Sequence, residues 1–252
     1  MNKRKNVFSK IESKIEWLLK LNKDYLLYIF KILITLFLTA CTLLAFVELV
    51  DKLQDEELEK FDNTVSMFIY QFRSDTLTDF FLFITDLADR NAFLIGLPVV
   101  ALLLFIIWRN WSLTLQTAIV LSIAGLVNRV LKNYLSRARP SGDQLIEVSN
   151  QSFPSGHAMS AIAFYGFLIY IIWVLVKNRM LRISLTLLLT LFILAIGISR
   201  VYLGVHYPSD ILAGYAGGMF WLTFCIAIFT VIQFIRAYKK GKNMEQMEDE
   251  KI

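Results

Sequence analysis

The chain has 252 residues, 56% of them hydrophobic, with a mean hydropathy of +0.55, twenty phenylalanines and only four prolines. So apolar a composition excludes an ordinary soluble domain and a disordered chain, and it suits one integral membrane domain with spans of about 20 residues each. The net charge of +5 is divided among short segments between apolar runs. It therefore builds no basic stripe for a nucleic-acid partner, and follows instead the cytoplasmic bias of Lys and Arg beside membrane spans.

Residues 1–28 form a basic cytoplasmic or interfacial segment. Phe8, Ile11, Ile15, Leu18 and Leu19 recur there at helical spacing, which fits either a helix lying on an anionic leaflet or a soluble tail. So long a charged lead does not read as a cleaved signal peptide, so the first apolar run, 29–50, stays as a span. Residues 51–90 then carry ten acidic side chains. Leu58, Phe61, Val65, Phe68, Ile69 and Phe72 keep a helical period, as do Leu77, Phe80, Phe81 and Ile84. That spacing predicts two short amphipathic helices at the outer surface.

Spans at 91–108 and 112–130 flank a tight turn at Arg109 and Asn110. A fourth follows at 158–176, a fifth at 183–198 beyond a basic turn (Lys177, Arg179, Arg182), and a sixth at 211–235. Arg236, Lys239, Lys240 and Lys242 open a charged cytoplasmic tail, 236–252. The expectation is an all-α polytopic membrane protein whose six transmembrane helices occupy 29–235. The Lys/Arg bias puts both termini in the cytoplasm, and the acidic segment and both histidine-bearing segments on the other side. Cys41 and Cys225 lie inside spans, without metal-site spacing.

Three polar segments share that outer side. In Lys132–Pro140, Lys132 and Arg139 are seven apart and would share a face if the helix continued to Pro140. Arg129, Lys132, Arg137 and Arg139 are either a membrane-flanking cluster or an anion site, and the side they occupy favours the anion. In Pro154-Ser155-Gly156-His157, Ser155 and the Gly156 N–H open a helix, where free backbone donors can hold an anion. His157 is either functional or a histidine that satisfies a carbonyl. In Ser199–Asp210, Arg200 offers a planar donor fork, and Asp210 follows His206 by four residues, as an orienter or an ordinary helix-start carboxylate. His157 and His206 are the only histidines in the chain. Two histidines and one aspartate are a weak metal site, since three cations nearby would repel the ion. No metal and no cofactor are expected.

These segments read Lys-x6-Arg-Pro, Pro-Ser-Gly-His and Ser-Arg-x5-His-x3-Asp. In that form and order they resemble the signature of the type 2 phosphatidic acid phosphatase superfamily, integral membrane lipid phosphate phosphatases. The six-span plan over about residues 25–235 is similar too. The resemblance implies that His206 is the nucleophile and forms a phosphohistidine, that Asp210 orients it, and that His157 is the proton donor. It makes Lys132, Arg139 and Arg200 phosphate ligands, assisted by Ser155 and Gly156. The implied partners are the bilayer and a membrane lipid phosphate, chiefly phosphatidylglycerophosphate as in bacterial phosphatidylglycerophosphatase-like members. Undecaprenyl diphosphate, phosphatidate and diacylglycerol diphosphate are the alternatives. Outside the enzymes stand a transporter, whose charges would sit nearer the membrane midplane, and a silent lipid-binding protein, which would not need His206. The oligomeric state is not legible.

Overall fold

The computed structural model describes residues 23–54, 57–141, 144–148 and 150–249, so the interfacial helix read within 1–22 lies outside the described residues. The described residues form eight helices: α1 Lys23–Gln54, α2 Glu59–Tyr70, α3 Asp75–Asp86, α4 Arg90–Trp108, α5 Trp111–Leu135, α6 Gly156–Leu175, α7 Arg179–Tyr202 and α8 Pro208–Asp249. Six of them, all but α2 and α3, are long and apolar enough to cross a membrane. The two amphipathic helices of the acidic segment are α2 and α3. Ile95, Ile106, Leu187 and Leu188 are each about 60% exposed, as expected of side chains that face lipid and not a core.

Local chemistry sets the helix limits. Arg109 ends α4 in a left-handed conformation at φ 49°, and Asn110 then caps α5 by accepting from the Leu113 N–H at 3.2 Å. Asn178 caps α7 in the same way, accepting from the Leu181 N–H at 3.0 Å. Ser136, at φ 46°, ends α5, so the chain has left the helix before it reaches Arg139. Lys132 and Arg139 therefore do not share a helical face. One stretch of α6, Ile162–Gly166, is π-helical.

Two compact units divide the chain, one of residues up to Leu38 and from Thr223 onward, the other of Thr39–Leu222. In the first, Tyr25 meets Phe234 and Tyr238 edge-on, with ring centroids 5.9 Å apart in each case. The second holds every candidate site residue. There α6 and α8 approach closely because α8 presents glycines. A Cβ on Gly214 would lie 2.7 Å from the Ser155 carbonyl oxygen, and one on Gly218 2.8 Å from that of Met159. Tyr202, Leu203 and Val205 are buried under Ile69, Leu77, Phe81 and Leu82 from α2 and α3. The Tyr202 hydroxyl accepts from the Ser74 N–H at 2.9 Å, and Arg73 Nε donates to the Tyr202 carbonyl at 3.0 Å. The link between α2 and α3 is thereby tied to the end of α7.

Candidate active site

The polar residues collect where α5 and α7 end and α6 and α8 begin. After Tyr202 the chain reverses through Gly204, whose φ of 74° suits glycine. The Val205 and His206 N–H groups both donate to the Arg200 carbonyl, at 3.2 and 3.3 Å. Pro208 then starts α8, and one turn of helix brings Asp210 beneath His206. The distance from His206 Nδ1 to Asp210 Oδ2 is 3.2 Å, with both side chains almost wholly buried.

Asp210 is saturated with donors. Its Oδ2 also accepts from the Tyr207 N–H at 2.8 Å and from the Ser152 hydroxyl, and its Oδ1 accepts from Arg137 Nη1 at 2.7 Å. A carboxylate so bound fixes the imidazole proton on Nδ1 and leaves Nε2 unprotonated, an acceptor. His206 Nε2 faces Arg139 Nη1 at 3.3 Å. Burial holds the His206 imidazole well below its ordinary pKa, against the pull of Asp210, so the ring is neutral at neutral pH.

Three cations were expected to hold an anion. Lys132 and Arg139 converge on one short segment. Lys132 Nζ donates to the Gln151 carbonyl at 2.6 Å, and Arg139 Nε donates to the Asn150 carbonyl at 2.7 Å. Arg139 also donates to the Val205 carbonyl and to Asn150 Oδ1. Its burial lowers its pKa from the ordinary arginine value. Arg200 is 3% exposed; its Nη1 donates to Thr85 Oγ1 at 2.7 Å, while its Nε is buried without a partner among the described residues. Among the described residues the partners of these three cations are neutral carbonyls, an amide, a hydroxyl and the His206 ring, and none of the three makes a direct ion pair.

Ser155 caps α6, accepting from the Ala158 N–H at 3.4 Å, and its own N–H donates to the Asp210 carbonyl at 3.0 Å. The segments that carry the two histidines are thus joined backbone to backbone. A Cβ on Gly156 would lie 3.0 Å from Asn128 Oδ1 and 3.9 Å from Lys132 Cε, so the backbone there approaches the α5 cation. Among the described residues no hydrogen bond joins the His157 side chain to the other predicted residues. Its Nε2 lies 2.5 Å from Asp89 Oδ1 at the start of α4. That hydrogen bond, with the further help of the Arg200 charge, holds the Asp89 carboxyl below its usual range.

Four members of the site were not singled out from the sequence, Asp62, Asp89, Asn150 and Ser152, and Arg137 was read only as one of a basic cluster. Asp62 carried a signal all the same, because an acidic residue at 62 interrupts the apolar face formed by Leu58, Phe61 and Val65. Among the described residues no group of three or more His, Cys, Asp or Glu is arranged to hold a metal ion.

Six membrane-length helices, a buried His–Asp pair and three clustered cations describe a membrane-embedded enzyme acting on an anionic group. The chain belongs to the PAP2 superfamily, whose pattern matches residues 111–233, and it is a lipid phosphatase of that family. Over 184 residues it is 30% identical to phosphatidylglycerophosphatase B of Bacillus subtilis, an alignment that covers 70% of this chain and 87% of the relative. It is 31% identical over 186 residues to the lipid A 4'-phosphatase of Bacteroides thetaiotaomicron, covering 62% of this chain and 79% of that one. In three dimensions it is similar to the crystal structure of a transmembrane PAP2-type phosphatidylglycerolphosphate phosphatase from Bacillus subtilis. The TM-score is 0.70 at 27% identity, over 77% of this chain and 96% of the other.

Proposed function

We propose that the chain hydrolyses the phosphomonoester of phosphatidylglycerophosphate to phosphatidylglycerol and inorganic phosphate. The reaction passes through a phosphohistidine at His206, on the extracytoplasmic face of the membrane. The observation that carries this reading is the His206 ring, with Nδ1 held by Asp210 and Nε2 facing Arg139. The choice of lipid rests on the likeness to the Bacillus subtilis phosphatidylglycerophosphatase B.

The steps follow from the groups present. Lys132, Arg139 and Arg200 exchange their neutral partners for the non-bridging phosphate oxygens, assisted by Ser155 and the Gly156 N–H, and stabilise charge as it develops. His206 Nε2 forms a bond to phosphorus as the bond to the lipid oxygen breaks in line, and Asp210 offsets the charge the ring acquires. His157 gives its proton to the departing lipid alkoxide. It then takes a proton from water as that water attacks the phosphohistidine and expels His206.

The test is phosphate release by the full chain in detergent micelles, on phosphatidylglycerophosphate, phosphatidate, lysophosphatidate, undecaprenyl diphosphate and diacylglycerol diphosphate. The highest kcat/KM is expected for phosphatidylglycerophosphate, together with an acid-labile phosphoenzyme that His206→Ala lacks. A faster diphosphate would overturn the choice of lipid. No release on any of the five by folded protein would overturn the proposed reaction.

A further inference from the structure

Behind the His206–Asp210 pair lies a second layer of charge that the three sequence segments do not explain. Arg137 stands two residues before Arg139, and its guanidinium spans two carboxylates. Nη1 donates to Asp210 Oδ1 and Nη2 to Asp62 Oδ2, each at 2.7 Å. Asp62 belongs to α2, outside the region matched by the family pattern, and is 1% exposed. Three further bonds close the cluster. The Ser209 N–H donates to Asp62 Oδ1 at 2.8 Å, the Ser209 hydroxyl donates to Asp62 Oδ2 at 2.6 Å, and Arg137 Nη1 donates to that hydroxyl at 2.8 Å. The Tyr207 ring covers the guanidinium, 4.1 Å from its centroid.

We propose that Arg137 and Asp62 are positioning residues, forming a buried carboxylate–guanidinium–carboxylate bridge that fixes Asp210 and, through it, the His206 ring for attack. Three arguments support it. First, Asp210 cannot turn without breaking a charge-assisted bond on Oδ1, so its Oδ2 stays aimed at Nδ1. Second, the planar fork serves each carboxylate from a separate Nη, a fixed span that the single Nζ of lysine does not reproduce. Third, the charges are matched to the reaction. Two carboxylates against one guanidinium leave the cluster at −1, the complement of a ring that becomes cationic when it takes the phosphoryl group. Asp62 thus shares the guanidinium, which would otherwise draw Asp210 away from His206. The other charged groups felt at the pair, Lys132, Arg139 and Arg200, lie on the phosphate side and add positive charge only. Burial opposes the Arg137 charge, yet Asp210 and Asp62 together raise its pKa above the ordinary arginine value, so the guanidinium is charged at neutral pH.

The inference rests on the proposed role of His206 as nucleophile, and the experiment separates the two. Arg137→Gln, Arg137→Lys and the near-isosteric Asp62→Asn are made in the full chain, alone and combined with Asp210→Asn. Phosphate release and the rate of phosphoenzyme formation are measured beside wild type and His206→Ala. Arg137→Gln is expected to lower kcat and phosphoenzyme formation about 100-fold with KM within about twofold, and Asp62→Asn about tenfold, as suits residues that act only on the transition state. Arg137→Lys should restore less than about a tenth of wild-type kcat. In the Asp210→Asn background each further loss should shrink to within about twofold, because the path through Asp210 is already cut. Wild-type kcat in Arg137→Gln or Asp62→Asn overturns the inference, and so does a loss that persists in full in the Asp210→Asn background, or one carried by KM. Arg137 borders a cavity of about 530 Å³ lined by Leu53, Gln54, Tyr134 and Leu135, so water can reach a shorter side chain there. Should Arg137→Gln still fail to fold, Asp62→Asn and Arg137→Lys decide the matter by the same criteria. Activity retained by His206→Ala would instead defeat the underlying reading.

Discussion

His206 and Asp210 are sealed, with side chains 1% and 0% exposed, whereas His157 and Asp89 keep 20% and 49% of theirs. Among the described residues the sealed carboxylate accepts from four donors on three segments, and the open one receives a single side-chain bond, from His157. The contrast suits the two tasks proposed for these histidines. A nucleophile gains from a fixed ring with one free lone pair. An acid that must pass protons between a leaving lipid and water gains from access and from a partner that it can release. In the proposed mechanism Asp89, bound to the His157 nitrogen that serves the leaving oxygen, gives way when substrate binds.

The largest effect should come from the sealed half. His206→Ala is expected to lower kcat by about 10⁴-fold or more, with no phosphoenzyme trapped on acid quench. His157→Gln should cost about 10²- to 10⁴-fold, the range of a lost general acid. Unlike His206→Ala, it should still form phosphoenzyme from a lipid phosphate with a good leaving group, and that species should accumulate because its hydrolysis lacks a base. Equal silence of both variants in that trap would erase the distinction between the halves.

Smaller effects sharpen it. Asp89→Asn removes a half-exposed pair and should change kcat by about fivefold at most. Its mark should appear in pH dependence. The Asp89 carboxyl is held below its ordinary range by the His157 bond, so the stability it contributes is present above that range and is lost as pH falls through the lowered value. The Tm gap between wild type and Asp89→Asn in detergent should therefore close as pH is taken from neutral to about 3, a window set by the ordinary carboxylate value and its depression. A gap that widened on acidification would contradict the pairing. Smallest of all, Gly204→Ala should cost about 1 kcal/mol of stability, because an L-residue must adopt the positive φ seen there. Chemical unfolding of the detergent-solubilised protein would register it.

Much of this was legible in the sequence because membrane spans and phosphate chemistry both restrict composition. Runs of apolar residues of span length have few other uses, and the two histidines of so apolar a chain stand at span entrances. The span at 91–108 has the bounds hydropathy suggested, and the other five are longer. α5 runs on past residue 130 through Lys132, and its polar residues Asn128 and Lys132 turn inward to Pro154 and Gln151. Arg139 was misplaced on a helix because nothing in Ser136 announces a left-handed residue; serine does so far less often than glycine or asparagine. Arg137 read as one of several flanking cations, since a basic cluster does not reveal which member faces a carboxylate. Asp62 and Asp89 were lost among ten carboxylates. Their partners lie 75 and 68 residues away, and a local pattern carries no information about such a pairing.

The π-helical turn at Ile162–Gly166 has a consequence for the geometry of α6. A π turn holds one residue more than an α turn, so everything beyond it is rotated by about 100° from the line that His157 began. The histidine at the head of the helix and the buried Phe167 and Ile171 further along it are therefore phased independently. Deleting a single residue within 162–166 would restore an unbroken α-helix and force a choice. Either Phe167 and Ile171 swing out of their contacts, or the head of the helix turns and carries His157 away from Asp89. The extra residue acts as a gear between the packed part of the span and its chemical end.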